Sequence, residues 1–165
     1  MNQNDLKELF SYNPETGEFI RLKSVAKRAK VGDKAGSINR DGYIYITINY
    51  KKFLIHRLAW LYVYGEFPEN EIDHINGNPS DNRIGNLRSA TRCENMNNVG
   101  KHTNNTSGYK GVSWSKEVKK WEAKIAVNKK RINLGYFDKL ESAYNAYCQA
   151  AKNLHGEFAN IGISQ

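Results

Sequence analysis

Hydrophobic and polar residues alternate in two neighbouring stretches of the chain, YIYITI at residues 43–48 and FLI at residues 53–55. Alternation of β-branched and aromatic residues with polar ones is typical of strands, and the intervening Asn49-Tyr50 lies where a tight turn is expected. The two stretches therefore predict a β-hairpin. Apolar residues then recur at helical spacing, which predicts a helix from His56 to Tyr64.

An asparagine-rich segment, residues 72–98, holds seven asparagines and few apolar residues. A short strand ends at Asp73-His74, turn residues follow, Arg83–Ala90 forms a weak second strand, and a short helix contains Asn95. This strand, loop, strand and helix have too little apolar surface for a core of their own. A bound metal ion would organise them, although asparagines in loops more often make local turn bonds.

The last third of the chain contains three strand-like stretches and one helix-like stretch. The strands are YKGVSW, KWEAKIAV and KRINLGYF, joined by short polar turns. A capping box at Asp138 and Glu141 is expected to open the helix. The apolar stripe of that helix consists of Ala143, Tyr147, Ala150 and Leu154. The pattern predicts a three-stranded antiparallel sheet packed on one helix.

Alternation within this sheet assigns its two faces. The residues expected under the helix are Trp121, Ala123, Ile125, Val127, Ile132 and Leu134. The residues expected on the outer face are Glu122, Lys124, Ala126, Asn128, Arg131 and Asn133. Residues 108–137 carry eight basic and two acidic side chains. We therefore expect the outer face to contact DNA, a merely solvated exterior being the alternative.

Charge and composition narrow the choice of partner. The 165 residues include 25 Lys and Arg against 17 Asp and Glu, and the net charge of +8 favours a polyanion such as nucleic acid. No membrane partner is expected, because the longest apolar run is too short to span a bilayer and carries His56 and Arg57. The polar N-terminus does not resemble a signal peptide. Cys93 and Cys148 lack the paired spacing of a zinc site or a disulfide framework, which favours a reducing, cytoplasmic setting.

Several side chains near the asparagine-rich segment suggest chemistry. Asp73 and Asn95 offer hard oxygen ligands suited to Mg²⁺ or Mn²⁺, with other positions left to water and a substrate phosphate. His74, with an ordinary pKa of about 6.5, could take a proton from an attacking water. The side-chain oxygen of Asn86 could accept from one ring nitrogen of His74. The role of His56 stays open, since a histidine at a strand-to-helix junction is more often a packed residue. These groups together suit hydrolysis of a phosphodiester.

The run IDHINGNPSDNRIGNLRSATRCENMNN resembles the HNH endonucleases, and among them the phage-type homing endonucleases whose last motif histidine is replaced by asparagine. The upstream stretches YNPETGEF, GYIYITI and HRLAW resemble the part that commonly precedes this motif. The resemblance implies a ββα-metal fold with His74 as general base, Asp73 and Asn95 as metal ligands, and Asn86 orienting His74. Zinc is not implied, because the cysteine pairs of some HNH proteins are missing.

The stretches YKGV, WEAKI, RINLGYF and AYNAYCQAA resemble the plant Apetala and ethylene-response-factor DNA-binding domain, whose sheet sits in the major groove. The resemblance implies DNA contacts by Lys110 and Arg131. Ser113, Ala126 and Asn133 depart from the plant pattern, so the plant target sequence is not inherited. The full set of candidate DNA-binding residues is Lys110, Ser113, Lys124, Arg131, Asn133, Arg57 and Arg88.

We therefore expect an α+β protein with N-terminal β-hairpins and a ββα-metal unit in a nuclease domain at residues 1–100, a linker at 101–107 and a DNA-binding domain at 108–165. The expected activity is homing-type nicking of double-stranded DNA with a histidine base and one Mg²⁺ or Mn²⁺ ion, without a nucleotide cofactor. A bacterial or phage-infected cell is the expected setting, and protein partners stay undefined. The alternative is a non-catalytic, sequence-specific DNA-binding regulator. An RNA-binding protein is less favoured, because no aromatic RNA-stacking signature is present.

Overall fold

The chain forms two compact units, Met1–Thr91 and Arg92–Gln165. The computed structural model describes residues 1–24, 29–101, 104–128 and 130–162. The predicted linker at 101–107 lies in part outside the described residues, and the predicted domain limits stay a prediction. No helix in the described part of the chain is long and apolar enough to cross a membrane.

The first unit is built mainly of short antiparallel strands. Its elements are α1 (Gln3–Leu9), β1 (Phe10–Asn13), β2 (Glu18–Arg21), β3 (Lys34–Ala35), β4 (Ser37–Ile38), β5 (Ile44–Ile48), β6 (Lys51–Leu54), α2 (Ile55–Tyr64), β7 (Glu71–His74) and β8 (Leu87–Ala90). The sheet orders are β1-β2-β3, β4-β5-β6 and β7-β8. The predicted hairpin is confirmed as β5 and β6, which pair with Ile46 opposite Phe53. The predicted helix that follows is confirmed as α2.

A single hydrophobic cluster joins the sheets of the first unit. Helix α2 buries Ile55, Leu58 and Leu61 against residues from the neighbouring strands and from α1. The β7 and β8 pair adds Ile72 and Leu87 to the same cluster. The pair therefore shares the core of its unit, as its small apolar content requires.

The second unit is a sheet packed on a helix. Its elements are α3 (Arg92–Asn97), β9 (Val112–Ser115), β10 (Lys120–Val127), β11 (Lys130–Phe137) and α4 (Leu140–His155). The sheet is antiparallel with order β11-β10-β9, so the predicted sheet and the α+β class are confirmed. Its core consists of Val112, Ala123, Ile125, Ala143, Tyr147 and Ala151.

Two predictions about helix α4 were wrong. The helix begins at Leu140 after Lys139, and no side chain in the described part of the protein caps it. Asp138 forms an ion pair with Lys120 at 3.1 Å instead of a capping box. Leu154 is exposed, since the buried stripe runs through Ala143, Tyr147 and Ala151 at a spacing of four residues.

The predicted facing of β11 was wrong in part. Pairing passes from Ala123 opposite Gly135 to Lys124 opposite Asn133, so one extra residue, Leu134, bulges out of the ladder. Ile132 was expected under the helix, yet its side chain is 42% exposed. An unbroken alternation therefore does not describe this strand.

Candidate functional site

Asp73 and His74 lie at the end of strand β7, where the chain turns away from the sheet. Gly77 N donates to the carbonyl oxygen of His74 at 2.8 Å, and the positive φ of Gly77, 71°, closes the turn. Residues on a regular strand face opposite sides, yet both side chains are buried, at 4% and 5% exposure. Leu87 on β8 lies opposite His74 in the ladder. The end of β7 therefore presents a carboxylate and an imidazole in a sheltered place.

Asp73 pairs with Arg88 across the ladder. The two residues are direct partners in the β7 and β8 register, and Oδ2 of Asp73 accepts from Nε of Arg88 at 2.8 Å and lies 2.7 Å from an Nη atom. The Arg88 side chain is 14% exposed. Its guanidinium therefore holds the Asp73 carboxylate, and the DNA contact predicted for Arg88 stays a prediction.

His74 is buried beside aromatic rings, and this burial keeps its imidazole neutral. Burial lowers its pKa, and the Asn82 side chain and the Asp73 and Asp81 charges oppose that effect. Nε2 of His74 lies 3.5 Å from Oδ1 of Asn82, and the Tyr43 ring centroid lies 5.9 Å away. Because the net shift is downward, the imidazole is uncharged near pH 7 and able to accept a proton.

His56 packs directly against His74. The two ring centroids are 5.1 Å apart in a T-shaped arrangement, and Tyr43 contacts His56 at 5.6 Å. Burial, with the neighbouring His74 and Arg57, lowers the pKa of His56 to about 3. Nδ1 of His56 is buried without a hydrogen-bond partner among the described residues. His56 therefore forms one wall of the pocket that shelters His74.

Asn82 is a residue that sequence reasoning missed. It is almost completely buried, its Nδ2 donates to the carbonyl oxygen of Ser80 at 3.0 Å, and its own carbonyl accepts from the Tyr12 hydroxyl at 2.7 Å. One more asparagine in an asparagine-rich loop carries no distinctive signal. Its contact with His74 becomes visible only once the loop is folded.

Asn86 organises the loop between β7 and β8. Its Oδ1 accepts from Asn76 N at 3.1 Å, and its Nδ2 donates to the Asn76 side chain at 3.1 Å and to the carbonyl oxygen of Asp81 at 2.8 Å. Asp81 also accepts from the Arg83 guanidinium. Asn86 thus supports the loop that carries Asn82, and the predicted direct role in orienting His74 stays a prediction.

Asn95, the second predicted metal ligand, lies on helix α3, within the second compact unit. Among the described residues, no group of three or more His, Cys, Asp or Glu side chains could hold a metal ion. The predicted ligand set contains one carboxylate and one amide, which suits a hard ion that keeps several waters. The donor chemistry therefore fits Mg²⁺ or Mn²⁺ rather than a structural zinc ion.

Four of the candidate DNA-binding residues share the outer face of the second unit's sheet. Lys124 lies opposite Asn133, and Ser113 lies opposite Glu122, while Arg131 is exposed on the same side. Glu122 is buried at the centre of this face, where it pairs with Lys124 at 2.7 Å and accepts from Asn133 at 3.1 Å. The face is therefore basic at its surface with one acid beneath.

Two further candidates, Arg57 and Lys110, direct their charges at the chain's own backbone. Arg57 donates to the carbonyl oxygens of Pro68 at 3.2 Å and Asn70 at 3.4 Å. Lys110 donates to two carbonyl oxygens at the end of helix α3. Charge and motif position alone did not reveal these contacts.

Comparison with known proteins finds a family match in each of two segments of the chain. Residues 53–97 match the profile described as HNH endonuclease, and residues 107–157 match that of the AP2 domain. Protein 3.8 of Escherichia phage T7 is 39% identical over 113 residues, which cover 68% of this chain and 93% of that protein. The solved structure described as DNA binding and cleavage by the HNH homing endonuclease I-HmuI is 29% identical, with a TM-score of 0.43, over 54% of this chain. The matched region spans half of that chain.

Proposed function

Because the chain belongs to the HNH endonuclease family and carries an AP2 domain, we propose that it is a metal-dependent endonuclease that nicks double-stranded DNA. The main support is the end of strand β7, which holds a buried imidazole and a carboxylate side by side. The phage relative supports an infected bacterial cell as the setting. The proposal includes cleavage of the kind carried out by homing endonucleases.

His74 is the proposed general base. Its uncharged ring accepts the proton of the attacking water as the new bond to phosphorus forms. With the hydrogen of the neutral ring on Nε2, facing Oδ1 of Asn82, the proton acceptor is Nδ1. Asn82 then fixes the tautomer, and Asn86 maintains the loop from which Asn82 acts.

Asp73 and Asn95 are the proposed metal ligands, as the family resemblance implies. A bound Mg²⁺ or Mn²⁺ ion would stabilise the charge on the phosphate and on the leaving oxygen. Arg88 holds the Asp73 carboxylate in one orientation through its bonds to Oδ2. Because Arg88 already fixes this orientation, the Asp73 side chain loses less conformational freedom when it binds a metal ion.

The sheet of the second unit is the proposed DNA-binding surface. Ser113, Lys124, Arg131 and Asn133 share its exposed face. Basic side chains there supply affinity through phosphate contacts, while polar side chains are able to read base edges. Because the DNA-binding surface is separate from the proposed catalytic residues, the target sequence can be selected without a change in the cleavage chemistry.

Nicking of supercoiled plasmid tests the proposal. Wild-type protein is expected to convert supercoiled to open-circular DNA with Mg²⁺ or Mn²⁺, and EDTA is expected to stop the reaction. His74→Ala should lower the nicking rate by about 10²-fold or more, because a general base contributes on that scale. His155→Ala, a histidine on helix α4, is the matched control and should nick like the wild type. A single active site per chain predicts nicks before linear DNA.

The rival function is a DNA-binding regulator without catalysis, which the AP2 match alone would support. Wild-type protein that shifts duplex DNA in a gel but never nicks it with any divalent ion would establish the rival. The buried pairing of Asp73 with Arg88 favours the nuclease, because a buried charge pair costs desolvation that a purely structural strand end does not need.

A further inference from the structure

Helix α3 is fastened at its C-terminal end by two side chains from elsewhere in the second unit. Nζ of Lys110 donates to the carbonyl oxygens of Asn97 at 3.0 Å and Val99 at 2.5 Å. Nδ2 of Asn160 donates to the carbonyl oxygen of Asn98 at 2.7 Å. Asn97 is the last residue of α3, and the last carbonyls of a helix lack partners within it. Lys110 therefore caps the helix, while the bonds to Asn98 and Val99 hold the two residues that follow.

Lys110 and Asn160 are themselves held in place by the rest of the second unit. Oδ1 of Asn160 accepts from Gly162 N at 2.7 Å, and its carbonyl accepts from the hydroxyl of Tyr147, a buried core residue of helix α4. The Lys110 side chain is half-buried, and this burial lowers its pKa to about 8. Neither residue resembles a mobile surface group.

The family profile and the compact units divide the chain at different places. The HNH profile covers residues 53–97, whereas the second unit begins at Arg92. The final helix of the nuclease motif, with the proposed metal ligand Asn95, therefore belongs to the unit that contains the AP2 domain. We propose that Lys110 and Asn160 are positioning residues for cleavage, because they tie the helix that carries Asn95 to the DNA-binding unit.

This inference rests on the proposed function and extends it. The proposed DNA-binding face and the proposed metal ligand Asn95 belong to the same compact unit. Binding of DNA on that face is therefore coupled to cleavage through α3. The sequence resemblance suggested another role for Lys110, a direct DNA contact. The two roles predict different consequences for the same substitution.

Lys110→Met and Asn160→Asp, made singly in the full chain, test the proposal. Met keeps the length of Lys110 without its donor, and Asp keeps the acceptor for Gly162 N while losing the donor to Asn98. Each variant should lower the turnover number for nicking by about tenfold and raise the Mg²⁺ concentration for half-maximal rate several-fold, as loss of support for a metal ligand does. DNA affinity and its salt dependence should match the wild type. Lys110→Arg restores donors and should recover much of the rate.

Amide hydrogen exchange gives a readout that does not need activity. Exchange at Asn98 and Val99 should accelerate in both variants, while the amides of strand β10 keep wild-type protection, which also shows that the unit is folded. The proposal is overturned if Lys110→Met weakens DNA binding and lowers the salt slope by about one, the signature of a lost phosphate contact. Wild-type turnover and exchange in the variants would equally overturn it. Wild-type protein that never nicks would instead refute the proposed function.

Discussion

Single residues of the candidate site owe their properties to burial. The imidazoles of His56 and His74 lie in contact, and both have lowered pKa values because the charged form loses its hydration. Asp73 is equally buried but finds a guanidinium opposite it. The site thus keeps both imidazoles uncharged and the Asp73 carboxylate paired.

His56 should make the stability of the protein depend on acid. Its pKa is about 3 in the folded protein and about 6.5 when unfolded. Between these values the unfolded chain binds the additional proton, so the free energy of unfolding falls as pH falls from about 6.5 to about 3. At ~1.4 kcal/mol per pKa unit, the contribution reaches at most about 5 kcal/mol. Urea unfolding at several pH values should show a smaller pH dependence in His56→Gln, and an unchanged dependence would contradict this prediction.

Loss of one partner from the Asp73 and Arg88 pair should cost more than loss of both. Arg88→Met leaves a buried carboxylate without its guanidinium and should lower the free energy of unfolding by about 3 kcal/mol. The double variant Asp73→Asn with Arg88→Met removes the charge as well and should be milder. Urea denaturation of both variants, with exposed Ser89→Ala as control, measures the difference. A double variant no more stable than Arg88→Met would contradict this prediction.

At the scale of elements, alternation and turn chemistry predicted the strands better than their faces. The YIYITI stretch became β5, and the three strands of the second sheet lie where their patterns indicate. The bulge at Leu134 was not predictable, because an extra residue in one strand depends on pairing with its neighbour rather than on local pattern. The same holds for Asn82 and Lys110, since composition does not show which of several like residues a folded loop or helix end will meet.

The turn between β5 and β6 is strained at Tyr50. Asn49 and Tyr50 both have positive φ, 48° and 63°, the combination that tight hairpins prefer to fill with Asn-Gly. Tyr50→Gly should therefore raise the free energy of unfolding by about 1 kcal/mol. Thermal or urea denaturation measures the gain, and Tyr50→Ala is the matched control that removes the exposed ring but keeps the strain. Equal stabilisation by alanine would locate the effect in the side chain.

At the scale of the whole molecule, the net positive charge agrees with the proposed DNA-binding role of the second unit. A net charge of +8 favours a phosphate backbone over most other partners, and the outer face of the second sheet collects exposed basic side chains. The proposed base, His74, and the proposed DNA-binding surface belong to different units. The sequence resemblance predicted both families correctly, whereas the membership of α3 in the second unit followed only from the folded contacts.

Binding to duplex DNA should weaken steeply with salt. Arg131→Ala should lower the slope of log affinity against log salt concentration by about one, because one phosphate contact releases about one counterion. Lys139→Ala, which removes a charge beside helix α4 rather than on the sheet, is the control. Titrations by fluorescence anisotropy at several salt concentrations measure both slopes. An Arg131 variant with the wild-type slope would exclude a phosphate contact there.

The position of Thr91 as the last residue of the first unit bears on how such proteins are recombined. A chimaera that replaces the AP2 domain at the polar stretch after Gly100 would retain α3 but replace Lys110 and Asn160, the residues that bind its C-terminal end. A junction placed just before Arg92 transfers α3 together with Lys110 and Asn160, whose side chains bind its C-terminal end. If the chain nicks DNA as proposed, chimaeras joined just before Arg92 should keep their nicking activity. Chimaeras joined after Gly100 should bind DNA and fail to nick it.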